Sequence, residues 1–144
     1  MKHSTFIELI HISEMLSDKA VVHYLKTFNR NISVSQIIVL NRLGEEGAQM
    51  PSQLARVLGY TTGAMTGIAN KLVQSGYVRR CTQEGDRRVS KLVITDAGRI
   101  LLEEAHTHGL KMRETLYSVL TDDELNQYLS IQKKLLHHLM DDDC

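Results

Sequence analysis

Proline, tryptophan and cysteine are all scarce in this 144-residue chain. With one proline and no tryptophan, nothing points to a proline-rich linker or a β-sandwich. The two cysteines, Cys81 and Cys144, are too few and too far apart for a disulfide framework or a zinc spacing. A reducing, cytoplasmic setting is therefore expected. No stretch approaches the about 18 uninterrupted apolar residues of a membrane span. The opening "MKHSTFIELIHISEML" is broken by acidic and histidine residues, unlike a secretory signal. Net charge is also missing, with 17 basic and 17 acidic residues. There is no nucleophile elbow, phosphate loop or pair of catalytic carboxylates. An enzyme is not expected, nor is any cofactor.

What is present fits one domain of ordinary size. Hydrophobic residues make up 42% and charged residues 24%, enough for a core without metals or disulfides. The charge is unevenly placed. Residues 51–99 hold eight basic side chains (Arg56, Lys71, Arg79, Arg80, Arg87, Arg88, Lys91 and Arg99) against Glu84, Asp86 and Asp96, a net of +5. The remainder has nine basic and 14 acidic residues, a net of −5. A basic middle between acidic flanks suits a polyanionic partner on one side of the molecule.

Apolar periodicity and start signals divide the chain into eight elements. Phe6, Ile7, Ile10, Met15, Val21, Val22, Leu25 and Phe28 predict a helix over 5–28. Ser33 with Gln36 three residues on is a capping-box pattern and opens a second helix, expected to stop at Gly44. Pro51 starts a short third helix, which Gly59 ends. Thr61 or Thr62 caps a fourth, whose Met65, Ile68, Ala69 and Leu72 form one apolar stripe and which Gly76 closes. The period then becomes two, so "YVRRCTQ" and "VSKLVIT" read as strands joined by an "EGD" turn. Thr95 caps a long helix over about 96–119. Thr121, with Asp122, Asp123 and Glu124, caps a last one, followed by a frayed "DDDC" tail.

Two short helices separated by "GYTT" and followed by a hairpin give the order of a winged helix-turn-helix, mostly α with a small β wing. In that arrangement the fourth helix enters a DNA major groove. Its outer face holds Gly63, Thr66, Gly67, Asn70 and Gln74, with Thr61, Thr62 and Lys71 at the margins. Threonine can meet phosphates, bases or thymine methyls, and asparagine can pair with adenine. Two glycines cost about 1 kcal/mol each relative to alanine, which suggests close approach to the backbone. At the hairpin tip, Arg88, and Arg87 beside it, can enter a narrow minor groove, with Asp86 holding the arginine in place. Arg79, Arg80 and Lys91 on the strands are candidate phosphate contacts.

The stretch "SGYVRRCTQEGDRRVSKLVITDAGRILLEEA", residues 75–105, resembles the signature of MarR-family transcriptional regulators. The matching features are Gly76-Tyr77-Val78, Arg79 or Arg80, Asp86 with Arg88, Ile94-Thr95 and Gly98. Gln83-Glu84-Gly85 departs from the Asp-Pro step of many members. The resemblance implies a winged DNA-binding lobe over 33–99, and dimerisation helices over 1–30 and 100–144. It also implies a homodimer that represses transcription from an inverted-repeat operator, and release by a small aromatic molecule, an oxidant or a metal. Tyr24, Met15, His11 and Arg42 are candidate ligand-lining residues, with nothing in the sequence to separate them from core positions. For oxidation the candidate is Cys81, beside Arg79 and Arg80. For metal, His106–His108 and His137–His138 lack same-face spacing and no site is expected. The alternatives to a ligand-released regulator are a winged-helix interaction module without DNA binding and a redox-responsive regulator.

Overall fold

Local hydrogen bonding sets most of the element boundaries. The computed structural model describes residues 2–83 and 86–142, and the side chains of all of these except 83 and 86–89. The order is α1 (Lys2–Thr27), α2 (Val34–Glu46), α3 (Pro51–Leu58), α4 (Thr62–Gln74), β1 (Val78–Gln83), β2 (Asp86–Ile94), α5 (Asp96–Tyr117) and α6 (Asp122–Asp142). This is the mostly helical winged helix-turn-helix expected from the sequence. The chain divides into two compact units, residues 1–108 and 109–144.

In the first unit, the capping box at α2 forms as read. Gln36 N donates to Ser33 Oγ (3.2 Å) and Ser33 N to Gln36 Oε1 (2.8 Å). The helix does not stop at Gly44, however. It runs to Glu46, and Gly47 ends it at φ +77°. Gly44 serves packing instead: a Cβ there would lie 3.0 Å from Leu102 Cδ2 on α5. Gly59 ends α3 in the left-handed region at φ +72°, where glycine carries no steric penalty.

Val39, Leu40, Leu43, Leu54, Met65, Leu72, Val78 and Leu92 are fully buried and draw α2, α3, α4 and both strands into one core. Phe28, Ile32, Leu101 and Ala105 join it. Tyr24 on α1 donates its hydroxyl to Ala105 O on α5 at 2.9 Å. His108 meets Tyr24 edge-on and Phe28 at a tilt, with ring centroids 4.9 and 5.2 Å away. Thr27 Oγ1 lies 2.8 Å from His23 O and 2.8 Å from His108 Nε2, which ties α1 to α5 beside the ring cluster.

The hairpin is antiparallel, with Val78 opposite Ile94, Arg80 opposite Leu92, Cys81 opposite Lys91 and Thr82 opposite Ser90. The register then shifts, and Gln83 pairs with Asp86. Asp86 therefore belongs to β2 and not to the connecting turn. A third segment, unexpected from the sequence, pairs with the hairpin: Gln49 N donates to Leu92 O (3.2 Å) and Leu92 N to Gln49 O (2.7 Å). It has the single-residue length that periodicity cannot register.

In the second unit, Thr121 and Glu124 form another reciprocal cap, with Thr121 N to Glu124 Oε1 at 2.9 Å and Glu124 N to Thr121 Oγ1 at 3.2 Å. The Thr121 backbone donor first, and its side chain second, hold the Glu124 carboxyl below the usual glutamate range. The expected α5 limit of 119 is too long by two residues. The chain turns at Ser118, whose hydroxyl donates to Thr115 O at 2.6 Å, and Val119 is left outside the helix. The last helix continues through Asp142 and takes in two of the three aspartates expected to fray. Cys144 lies outside the described residues.

Candidate nucleic-acid interface

α4 begins where Thr61 accepts a hydrogen bond from Ala64 N at 3.1 Å. Its inner stripe, Met65, Ala69 and Leu72, is buried as expected, and Ile68 packs half-buried at the margin. The opposite face is open. Thr61, Thr62, Gly63, Thr66, Gly67, Asn70, Lys71 and Gln74 are all exposed. A Cβ added at Gly63 or Gly67 would meet no atom within 4 Å. No packing contact among the described residues accounts for these glycines, which leave a strip of helix backbone uncovered. Thr66 donates its hydroxyl to Thr62 O at 2.9 Å, so its proton is engaged while its oxygen can still accept.

The hairpin is anchored at the foot of α4. Thr95 N donates to Tyr77 O (3.0 Å), Thr95 Oγ1 to Gly76 O (2.6 Å), and Gly98 N to Thr95 Oγ1 (3.1 Å). Gly98 is buried, and a Cβ there would collide with the carbonyl oxygen of Tyr77. Thus Gly76, Thr95 and Gly98 are joints that set where the hairpin leaves the lobe.

Strand alternation then sorts the basic residues. Val78, Ile94 and Leu92 face the core, and Arg80, opposite Leu92, continues that side toward α4. Its Nη2 donates to Asn70 Oδ1 at 2.8 Å. Arg79, Cys81 and Lys91 lie on the other face by the same alternation. Arg79, Arg80 and Lys91 are therefore divided: Arg80 joins the α4 surface, and Arg79 and Lys91 do not. The link from Arg80 to Asn70 crosses ten residues between two elements, and no motif or periodicity marks it. Asp86, Arg87 and Arg88 have their backbone in β2, but their side chains lie outside the described residues, as do Glu84 and Gly85. The expected Asp86–Arg88 pairing lies outside the described residues.

The other candidate sites differ from one another. Cys81 is an exposed free thiol. Among the described residues no group of three or more His, Cys, Asp and Glu gathers to hold a metal. His106 Nε2 lies 3.0 Å from Asn41 Oδ1 and His108 turns to Thr27, so those two histidines have separate partners. Tyr24 is engaged in the α1–α5 contact, and His11 and Met15 are exposed. A groove of about 380 Å³ between α2 and α5 is lined instead by Asn41, Glu45, Arg99, Leu102, Glu103 and His106, among others. None of Tyr24, Met15, His11 and Arg42 lines it.

An exposed helix of small and hydrogen-bonding residues, set on a helix-turn-helix and flanked by an anchored hairpin, is the arrangement of a winged helix-turn-helix lobe. Residues 30–89 match the MarR family. The chain is 30% identical over 106 residues to the transcriptional repressor MdtR of Bacillus subtilis, covering 74% of this chain and 68% of that protein. It is 29% identical over 129 residues to the multiple antibiotic resistance protein MarR of Escherichia coli, covering 89% and 88%. The crystal structure of a cysteine-to-serine mutant of Escherichia coli MarR with operator DNA is similar at a TM-score of 0.67 and 28% identity, over 90% of this chain and 91% of that one. This chain belongs to the MarR family.

Proposed function

We propose that this protein binds a specific double-stranded operator as a homodimer and represses transcription there, a small molecule releasing it. The observation that carries the reading is the outer face of α4, where two glycines expose backbone beside Thr66 and Asn70 and no described part of the chain covers them. The similar MarR crystallised with operator DNA adds support. In this reading Thr61, Thr62, Gly63, Thr66, Gly67, Asn70 and Lys71 face the major groove. Arg87 and Arg88 on the wing reach the minor groove or its phosphates with Asp86 beside them, and Arg79 and Lys91 meet backbone. Residues 33–99 form the DNA-binding lobe.

The homodimer draws on unpartnered apolar surface. Phe6 (60% exposed), Leu9, Ile10 and Ile12 stand open on α1, and Leu129, Leu135, Leu136 and Leu139 (65%) on α6. Such patches mark association surfaces. Residues 1–30 and 100–144 are thus assigned to dimerisation, and a two-fold dimer reads an inverted repeat. No described helix is long and apolar enough to cross a membrane, which accords with a cytoplasmic regulator.

The test is to select bound fragments from the source genome and sequence them. A shared inverted repeat is the expected result. No enrichment at any salt concentration would discard DNA binding and favour a protein-interaction module. Release by oxidation is a second reading, resting on the exposed Cys81 thiol. It requires that an oxidant lower operator affinity in the wild type and not in Cys81→Ser.

A further inference from the structure

Arg80 stands on β1, yet its head group lies on α4. The guanidinium Nη2 is 2.8 Å from Asn70 Oδ1. Arginine offers donors only, so the contact fixes which end of the Asn70 amide faces it: the oxygen. That constrains the bases each residue can read. To pair with adenine, asparagine must accept from the adenine amino group through that same oxygen. Here the oxygen sits against a cation that repels amino hydrogens. Arg80 takes one lone pair of that oxygen, and the group of Asn70 left wholly free for DNA is its NH2, a donor. Arg80 also keeps its other N–H groups, so the pair presents donors together. In the major groove guanine offers two neighbouring acceptors, N7 and O6, and bidentate arginine matches them.

The position of the pair carries the same point. Asn70 follows Gly63, Thr66 and Gly67 by seven, four and three residues, which places all four on one helix face. Both glycines leave open space where a side chain would stand. The Asn70 contact therefore delivers Arg80 to the surface where the backbone can come closest to base edges. A mobile arginine would lose rotamer freedom on binding a base, and a fixed acceptor at 2.8 Å takes part of that loss before DNA arrives.

We infer that Arg80, oriented by Asn70, reads a guanine in the major groove of each operator half-site, and that Asn70 is its positioning residue and not an adenine reader. This rests on the DNA-binding reading above and gives one of its contacts a base.

The experiment selects an operator from a random duplex pool, then measures affinity for every single-base change in a half-site. It compares the wild type with Arg80→Ala, Asn70→Ala and Asn70→Asp. Both positions are exposed, and thermal unfolding checks that each variant is folded. The wild type should prefer guanine to adenine at one position per half-site by about 5- to 150-fold. Arg80→Ala should abolish that preference while leaving preferences at other positions. Asn70→Ala should reduce it several-fold. Asn70→Asp, which restores an acceptor for the guanidinium, should keep it although total affinity falls as a carboxylate meets phosphates. The inference is overturned if Arg80→Ala weakens all sequences alike with a salt slope shallower by about 0.9, the signature of a phosphate contact. It is equally overturned if the wild type selects adenine at the position that Asn70→Ala relaxes. If no sequence is selected at all, the DNA-binding reading fails and this assignment falls with it.

Discussion

Two glycines separate residues that shape the fold from residues that shape the surface. At Gly98 a side chain would strike Tyr77 O and lie 2.8 Å from Ile94 Cγ1, so the joint between hairpin and α5 closes only without one. Gly67 is the reverse case, because nothing stands near its missing Cβ. Gly67→Leu should raise the thermal midpoint, since leucine favours helix over glycine by about 0.8 kcal/mol, and should obstruct groove entry. A stabilised variant that binds operator normally would show that this face points away from DNA. On the wing, Arg88→Ala should weaken operator binding about tenfold or more while the protein stays dimeric, the scale of a lost charged contact. Unchanged affinity in a filter or fluorescence titration would take the wing out of the interface.

At the scale of elements, the caps hold the helix starts, and Glu124 makes one of them sensitive to pH. Its carboxyl titrates below the ordinary glutamate value because the Thr121 backbone and hydroxyl favour the charged form. The contribution is thus fully present above the unfolded pKa and is lost as pH falls through the folded one. Glu124→Gln should remove that part of the acid-side slope in thermal unfolding, and an unchanged slope would mean that the cap adds nothing in solution. Caps such as Ser33 with Gln36 and Thr121 with Glu124 were legible beforehand because their partners lie three residues apart. The hairpin register was not, since the shift that puts Asp86 in β2 depends on how two strands settle against each other.

For the whole molecule, uneven charge and bare apolar helices make separate predictions. Operator affinity should fall with salt at a log–log slope near −0.9 per neutralised phosphate. A flat response would contradict a basic face over residues 51–99. Leu136→Glu together with Leu139→Glu should shift the protein to monomer in sedimentation, because charges on an apolar interface are costly to bury. A dimer that survives both changes would place the interface elsewhere.

The order of helices and hairpin, the caps at Ser33, Thr95 and Thr121, a cap at Thr61 or Thr62, and the buried stripe of α4 were all written in the chain. Each depends on residues within about one helical turn or on the alternation of a strand, so no distant partner is needed to read it. Other features exist only once the chain has folded. Gly44 is a packing site and not a helix stop because Leu102, on another helix, comes within 3.0 Å of its absent Cβ. Gln49 adds a pair to β2 only because the turn before α3 passes beside Leu92. Arg80 leaves the company of Arg79 and Lys91 for Asn70 because the pleat and the hairpin anchor aim it at α4. Charge count put all three cations in one basic segment, and only the packed strand could say which of them shares a surface with the helix.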